Sequence, residues 1–187
     1  FLAIIGTTYF WFLGAGLQLA LLFYGKTELN LSDSQVGYLM AALAIGIGTG
    51  SCLAGYLSKG KIEYGLVPLG ALGMTLACLT LARPEATFPS ILFCLMALGL
   101  SGGLFEVPLA ALVQQRPAPK EKASVIAFNA VTSFTGILSA SIVYYICSNL
   151  LGMTDPQIFI AAGTTTFVGS LYAFYLLPDS LLRFLLL

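Results

Sequence analysis

Six long apolar segments, separated by short charged or turn-forming connectors, constrain the fold of this chain more than any other feature. Each has about 20 residues, the length that an α-helix rising 1.5 Å per residue needs to cross the hydrocarbon core of a bilayer. The pattern predicts an all-α integral membrane protein in which one domain, residues 1–187, contains six transmembrane helices. The predicted spans are residues 1–24, 35–57, 64–82, 87–115, 123–151 and 157–178.

The composition points to lipid as the solvent for most of the chain. Hydrophobic residues make up 58% of the sequence and charged residues only 9%, whereas a soluble domain carries about 25% charged residues. The formal net charge is zero, so nucleic acid is not a predicted partner. The chain begins at Phe1 in apolar sequence without the pattern of a signal peptide, and we expect it to belong to a longer protein.

No group of residues in the sequence predicts catalysis, a metal site or a bound cofactor. Histidine is absent, and the four cysteines lie in apolar segments without a paired spacing, which favours a packing role for them. The sequence has neither a nucleophile elbow nor a phosphate-binding glycine loop. We therefore expect no enzymatic activity in this segment.

Lysine and arginine residues in the connectors predict the orientation of the spans, because such residues are retained on the cytoplasmic side of a membrane. Six of them fall in the second and fourth connectors and at the C-terminal end, and two fall on the other side. Both chain ends and these two connectors are therefore predicted to be cytoplasmic. The six are Lys59, Lys61, Arg116, Lys120, Lys122 and Arg183; the two are Lys26 and Arg83.

Small residues repeat every four positions in the second span, at Ala42, Gly46, Gly50 and Ala54. The fourth span repeats this spacing once, with glycines at positions 99 and 103. Small residues at this spacing allow two helix backbones to approach closely in lipid, where apolar side chains alone do not drive association. The stripe predicts a tight helix contact on one face of the second span.

Several stretches resemble a known family of membrane proteins. Six helices with two basic cytoplasmic connectors are similar to one half of a major facilitator transporter, which has two such halves. The stretches below look like the C-terminal half, helices 7–12 of twelve, of the lysophospholipid transporter family. The last of them also resembles the junction that leads, in fused members, into a glycerophospholipid acyltransferase domain. They are LSDSQVGYLMAALAIGIGTGSCLAGYLSKGKIEYGLVPLGALG (31–73), FEVPLAALVQQRPAPKEKASVIAFNAVTSFTG (105–136) and LLPDSLLRFLLL (176–187).

The resemblance implies a function in lipid transport. It implies movement of lysophospholipid, of the lysophosphatidylethanolamine type, across the bacterial inner membrane to its cytoplasmic face, by alternating access and for reacylation. The implied partners are membrane lipid, the N-terminal six-helix half and a fused or associated acyltransferase. Two alternatives stay open: a membrane anchor that docks an acyltransferase, and a major facilitator transporter for another small substrate.

One cytoplasmic motif of the superfamily is degenerate in this sequence. The motif has a glycine, an aspartate four residues later, and then a glycine and an arginine. Here Gly55 is followed by Lys59, with Ile62 and Glu63 at the later positions. The charge pair of that motif is therefore not expected in this half.

Glu106 is the candidate residue with the strongest physical argument. It lies ten residues before Arg116, about 15 Å into the membrane at 1.5 Å per residue. A charged side chain at that depth costs about 2.5–3.5 kcal/mol on insertion scales and tends to face a cavity or a partner. Three states fit: Glu106 is protonated, it pairs with a base of the other half, or it meets a cationic substrate group. A structural role, with a hydrogen bond across a helix contact, is the alternative.

Our hypothesis is that Glu106 faces the central cavity and interacts with an ethanolamine ammonium group. Pro108 removes a backbone donor two residues later and is predicted to kink the helix beside the site. The other candidates for the substrate cavity are Gln18 and Trp11 in the first span and Asn129 and Ser133 in the fifth. For Gln18, Asn129 and Ser133 an interhelical hydrogen bond is the favoured alternative.

The basic residues of the two cytoplasmic connectors define a basic face: Lys59, Lys61, Arg116, Lys120 and Lys122. Topology determination alone accounts for such a face, and this is the favoured interpretation. The functional alternative is attraction of anionic lipid headgroups or docking of an acyltransferase.

Overall fold

Six α-helices cover the apolar segments in this computed structural model, which describes residues 1–59, 61–83 and 87–176. The first and fifth helices each continue into one π-helical turn, Tyr24–Glu28 and Ile146–Leu150. The all-α class predicted from the sequence is confirmed. The helices are α1 (Leu2–Phe23), α2 (Asp33–Ser58), α3 (Leu66–Leu81), α4 (Phe88–Gln115), α5 (Lys122–Tyr145) and α6 (Asp155–Leu176).

Four helical segments in the described ranges are long and apolar enough to cross a membrane: Leu2–Glu28, Asp33–Ser58, Phe88–Gln115 and Lys122–Leu150. The sequence prediction of about 20 residues in every span is wrong for α3. This helix has 16 residues and is about 24 Å long, because it begins only after a turn at residues 64–65 and ends before Ala82. Arg183, used in the orientation argument, lies outside the described residues.

Local sequence signals explain where the helices begin. Ser32 caps α2: its side chain accepts a hydrogen bond from the backbone N–H of Gln35, and the Gln35 side chain accepts one from the Ser32 backbone. This reciprocal capping box satisfies donors that the first helical turn leaves without partners. Pro89 lies in the first turn of α4, where a missing backbone N–H costs nothing.

The helices pack as two interlocked sets of three. The most extensive contacts join α2 to α4, α3 to α4, α1 to α5 and α3 to α6. In this arrangement α1 corresponds to α4, α2 to α5, and α3 to α6. The contact between α2 and α4 then corresponds to the contact between α5 and α1. The smaller contact between α1 and α6 corresponds in the same way to the contact between α3 and α4. This is the relation expected between two three-helix repeats.

The closest contact, between α2 and α4, is formed by backbone atoms. The stripe Ala42, Gly46, Gly50 and Ala54 is buried, as the sequence predicts. A Cβ atom built on Gly46 or Gly50 would collide with the backbone carbonyl of Met96 or Leu100 on α4. Glycines on α4 also pack against the backbone of α2: a Cβ on Gly103 would lie 2.5 Å from the backbone nitrogen of Ser51. At these glycine positions no side chain fits between the two helices.

Polar contacts tie the connectors together at each end of the bundle. At one end, Arg116 donates a hydrogen bond of 3.5 Å to the hydroxyl of Tyr64, which joins the α2–α3 connector to the end of α4. At the other end, the buried Tyr144 hydroxyl donates to Asp155 at 2.9 Å. We call the end with Arg116 and Tyr64 the basic end, because Lys59, Lys61, Lys120 and Lys122 also lie in its connectors.

A matched pair of glycine substitutions tests the α2–α4 contact. Gly50→Ala forces backbone atoms apart, and overpacking of this kind costs about 1–3 kcal/mol. Gly48→Ala places its methyl group in open space and gains helix propensity instead. We expect thermal unfolding of the detergent-solubilised protein to show a lower Tm for Gly50→Ala and an unchanged or higher Tm for Gly48→Ala. Equal Tm values for the two variants would contradict the backbone contact.

Candidate functional site

An open groove of about 370 Å³ runs along one face of α1. Gln18 faces this groove, exposed, without a hydrogen-bond partner among the described side chains. The substrate-cavity interpretation of Gln18 and its alternative, an interhelical hydrogen bond, both stay predictions. The groove is lined by Ala15, Gln18, Leu19 and Leu22 of α1, Met40 of α2 and Ser141 of α5.

Trp11 lies seven residues before Gln18 and so on the same face of α1. Its side chain is 45% exposed, although tryptophan is usually well buried. The neighbouring ring of Phe10 packs edge-on against Trp11 and stacks on Phe105 of α4. The aromatic cluster therefore places Trp11 close to α4.

Glu106 projects from α4 next to the Trp11 side chain of α1. The carboxyl oxygen Oε2 is buried and has no hydrogen-bond partner in the described part of the chain. Within the described ranges one ion pair is present, between Lys26 and Asp33, and it lies near the end of the bundle opposite the basic end. Glu106 is thus a half-buried carboxyl group beside an indole ring, with no counter-charge from these residues.

Pro108 is buried inside α4, which stays helical from Phe88 to Gln115. Its missing N–H leaves the carbonyl of Leu104, four residues earlier, without its helical hydrogen bond. That carbonyl lies within half a turn of Glu106 along the helix. The predicted kink at Pro108 stays a prediction, since the helix is continuous through this position.

Asn129 and Ser133 lie on one face of α5, as their spacing predicts. Ser133 is buried and Asn129 is half-buried. The oxygen atoms Oδ1 of Asn129 and Oγ of Ser133 are buried without a hydrogen-bond partner in the described residues. The interhelical hydrogen bonds favoured from the sequence are therefore not formed by these oxygens.

Thr8 of α1 belongs to the same region and was not singled out from the sequence. Its Oγ1 atom is also buried without a partner in the described ranges. The backbone carbonyl of Thr8 lies 2.9 Å from the place where a Cβ on Gly136 of α5 would be. Threonine is common in membrane helices and usually bonds its own backbone, as Thr7 does with Ala3. No sequence signal distinguishes Thr8 from such residues.

The basic residues predicted at the cytoplasmic face all lie at the basic end and are exposed: Lys59, Lys61, Arg116, Lys120 and Lys122. None of them forms a salt bridge with a described acidic residue. The hydrogen bond between Arg116 and Tyr64 brings the two basic connectors to one surface. Five cations without acidic partners there leave a surface that attracts anions.

The six-helix fold is consistent with half of a major facilitator transporter, and the comparison with protein families agrees. The model described as Major Facilitator Superfamily matches residues 1–182. The chain belongs to the Major Facilitator Superfamily. The apolar helices and this membership make it an integral membrane protein.

Among curated proteins the chain is similar to several named Lysophospholipid transporter LplT. It is 33% identical to the protein of Cronobacter sakazakii over 130 residues, which are 69% of this chain and 31% of that protein. The identity and both shares are the same for the protein of Shigella boydii. For that of Enterobacter sp. the identity is 33% over 115 residues, 61% of this chain and 28% of the relative. The chain thus spans about a third of the length of these relatives, and the resemblance stated from the sequence is confirmed.

Thiol labelling tests the position of the groove. In a background without native cysteines, Gln18→Cys is expected to react with a membrane-impermeant maleimide in detergent, because Gln18 is exposed. Ser133→Cys is expected to react at least tenfold more slowly, because Ser133 is only 7% exposed and a buried thiol is inert. Mass spectrometry of the labelled fraction over time measures both rates. Similar rates would show that the α1–α5 contact is open.

Proposed function

We propose that this chain is the C-terminal half of a transporter that moves lysophospholipids across the bacterial inner membrane. Membership of the Major Facilitator Superfamily supports transport, and the similarity to proteins named Lysophospholipid transporter LplT supports the substrate class. The proposed mechanism is alternating access, in which a groove between two halves opens to each side in turn. The half acts without chemistry of its own and delivers its substrate to the cytoplasmic face for reacylation.

The observation that carries the proposal is an open groove along α1, together with a half-buried carboxyl group on the neighbouring helix α4. The groove along α1 is apolar on most of its lining and carries one exposed amide, Gln18. Such a surface suits a lipid, whose acyl chain requires apolar contact and whose headgroup requires polar contact. Glu106, next to the exposed Trp11, supplies the negative charge that an ethanolamine ammonium group would meet. In this proposal Trp11 covers one face of the ammonium group by a cation–π contact.

The proposed orientation places the basic end in the cytoplasm. Lys59, Lys61, Lys120 and Lys122 are exposed there, and positive residues in short connectors favour the cytoplasmic side. Because α1 and α5 both start at this end, both termini of the six-helix unit are proposed to be cytoplasmic. The N-terminal half completes the groove from the opposite wall.

The basic end supports a second role beside transport. Its five exposed cations have no acidic partner in the described ranges, so an anionic surface of an acyltransferase, fused or separate, is a suitable partner. In that role the membrane unit anchors an enzyme at the place where the lysophospholipid arrives. Loss of transport with retained docking would favour the anchor as the main function.

Glu106→Gln tests the role of the charge. The variant keeps the shape of the side chain and removes the negative charge, and loss of a charge-assisted hydrogen bond costs about 1.5–3 kcal/mol. We expect uptake of radiolabelled lysophosphatidylethanolamine by spheroplasts to fall about tenfold or more. Uptake of lysophosphatidylglycerol, which has no ammonium group, is expected to fall less.

The control for this experiment is Glu121→Gln, which removes an exposed carboxylate at the basic end. Uptake by this variant is expected to equal that of the wild type. Wild-type uptake of lysophosphatidylethanolamine by Glu106→Gln would contradict the charge role. Absence of uptake of either lipid by the wild type would contradict the transport function itself.

Accessibility labelling from one side tests the orientation. Cysteine at position 61 or 120 is expected to be protected from an impermeant thiol reagent in intact spheroplasts and labelled after the membrane is opened. Cysteine at position 30, in the α1–α2 connector at the opposite end, is expected to be labelled in both conditions. The reverse pattern would contradict the cytoplasmic location of the basic end.

A further inference from the structure

Two polar side chains from different helices line the same groove beside α1. They are Gln18 of α1 and Ser141 of α5, and the other residues that line the groove are apolar. Both polar side chains are exposed, and neither forms a hydrogen bond with a described residue. An amide and a hydroxyl group are therefore available together to a ligand on an otherwise apolar surface.

A packing contact next to these two residues places them at the same depth. Gly16 of α1 packs against Ala140 of α5, because a Cβ atom on Gly16 would lie 3.9 Å from the Cβ of Ala140. Gln18 is two residues beyond Gly16, and Ser141 directly follows Ala140. At 1.5 Å per residue, both lie about 14–15 Å from the ends of the helical segments Leu2–Glu28 and Lys122–Leu150. The two side chains thus form one polar pair near the middle of the membrane.

The hydroxyl group of Ser141 differs from the neighbouring hydroxyl groups of α5. Serine and threonine in membrane helices often bond to their own backbone. Ser139 does so by donating to the carbonyl oxygen of Thr135 at 2.7 Å, and Thr135 donates to that of Val131 at 2.8 Å. The Ser141 hydroxyl forms no such bond with the described residues. It is therefore free to donate to a ligand and to accept from one.

The charges around the groove favour a neutral group of the ligand as the partner of this pair. Phosphate groups are commonly bound by arginine or lysine, and the residues that line the groove are uncharged. Along the first span the next cation, Lys26, lies eight residues beyond Gln18, about 12 Å away, and it forms an ion pair with Asp33. An amide and a hydroxyl group both donate and accept hydrogen bonds. Their natural partner is an alcohol, which does the same.

We propose that Gln18 and Ser141 bind the free hydroxyl group on the glycerol of a lysophospholipid. The inference rests on the proposed function, which supplies the substrate class. The pair donates one hydrogen bond to this hydroxyl group and accepts one from it. In a phospholipid with two acyl chains the same oxygen belongs to an ester and has no proton to donate. A site that bonds a substrate hydroxyl discriminates against a compound that lacks it, so the pair selects lysophospholipids.

The apolar lining of the groove suits the single acyl chain of such a lipid. Leu22 is one turn beyond Gln18 on the same face of α1, and Met40 of α2 lines the groove as well. An unbranched methionine side chain adapts to an irregular apolar surface. A lipid whose glycerol lies at Gln18 and Ser141 can therefore place its chain against Leu22 and Met40.

Equilibrium binding to the purified full-length protein tests this recognition without transport. Radiolabelled lysophosphatidylethanolamine is displaced by the same unlabelled lipid or by its 2-deoxy analogue. The analogue keeps the headgroup and the acyl chain and carries a hydrogen atom in place of the glycerol hydroxyl group. We expect the wild type to bind the analogue about tenfold more weakly, because hydrogen bonds to the pair are lost.

Substitutions in the pair are expected to remove this difference. In Ser141→Ala and in Gln18→Met the affinity for the lysophospholipid is expected to fall about five- to tenfold. The affinity for the deoxy analogue is expected to change less than twofold, so the ratio of the two affinities approaches one. Ser141→Thr keeps a hydroxyl group and is expected to keep the wild-type ratio.

Ser139→Ala is the matched control for the serine substitution. It makes the same change two residues earlier on α5, at a hydroxyl group that bonds its own helix and does not line the groove. Both affinities, and therefore the tenfold ratio, are expected to equal those of the wild type. A general effect of substitution on α5 would appear in this variant too.

The outcomes decide the proposal separately from the transport function. Equal affinities of the two lipids for the wild type, or binding of neither, would overturn the recognition of the hydroxyl group even if spheroplasts take up lysophospholipid. A tenfold ratio that persists in Ser141→Ala and Gln18→Met, or equal weakening of both lipids by these variants, would also overturn it. The expected ratios without uptake of any lysophospholipid would support the recognition and contradict the transport function.

Discussion

The backbone contact between α2 and α4 is the interaction on which the rest of the structure depends. Glycines at positions 46 and 50 meet glycines at 99 and 103, and the two helices approach until backbone atoms touch. In lipid, apolar side chains gain nothing by leaving one apolar environment for another, so close van der Waals packing has to hold helices together. The same helix α4 is packed by α3, where Gly70 and Gly73 face Ser101 and Phe105. With α4 fixed on two sides, its remaining face presents Glu106 to α1.

The corresponding contact of the other repeat, between α1 and α5, has a different composition. Between α1 and α5, Gly136 meets Thr8 and Gly16 meets Ala140, and Ser133 is buried about one turn from Gly136. Small polar residues replace the glycine pairs, and oxygen atoms remain without partners. The two repeats therefore have the same arrangement of helices but different contacts. The α2–α4 contact fixes the bundle, and the α1–α5 contact contains the polar groups. Pro108 lies on α4 between these two regions and removes a backbone hydrogen bond there.

The sequence predicts the helices well because the length of an apolar segment and the position of charged residues indicate which residues lie in lipid and which lie in water. It also predicts the stripe on α2, since a spacing of four places small residues on one face whatever lies opposite. The rotation of the other helices is harder to predict. They are apolar on nearly all sides, so no polar face marks the side that contacts protein. For this reason the sequence does not show that Asn129 Oδ1 and Ser133 Oγ have no partner among the described residues, and it gives no signal for Thr8. The early end of α3 depends on the turn at residues 64–65, which apolar content does not reveal.

The short length of α3 affects the bilayer as well as the protein. A helix of about 24 Å spans less than the roughly 30 Å of a typical hydrocarbon core, whereas α2 and α4 are longer than that core requires. Lipids beside α3 have to compress, or the flanking Lys61 and Arg83 have to extend toward the headgroups. Because α3 packs on α4 and α6 and does not line the groove along α1, this compression falls on the side away from that groove. The layer of lipid around the bundle is therefore uneven in thickness. A change in membrane thickness would change the cost of hydrophobic mismatch by different amounts on the two sides of the bundle.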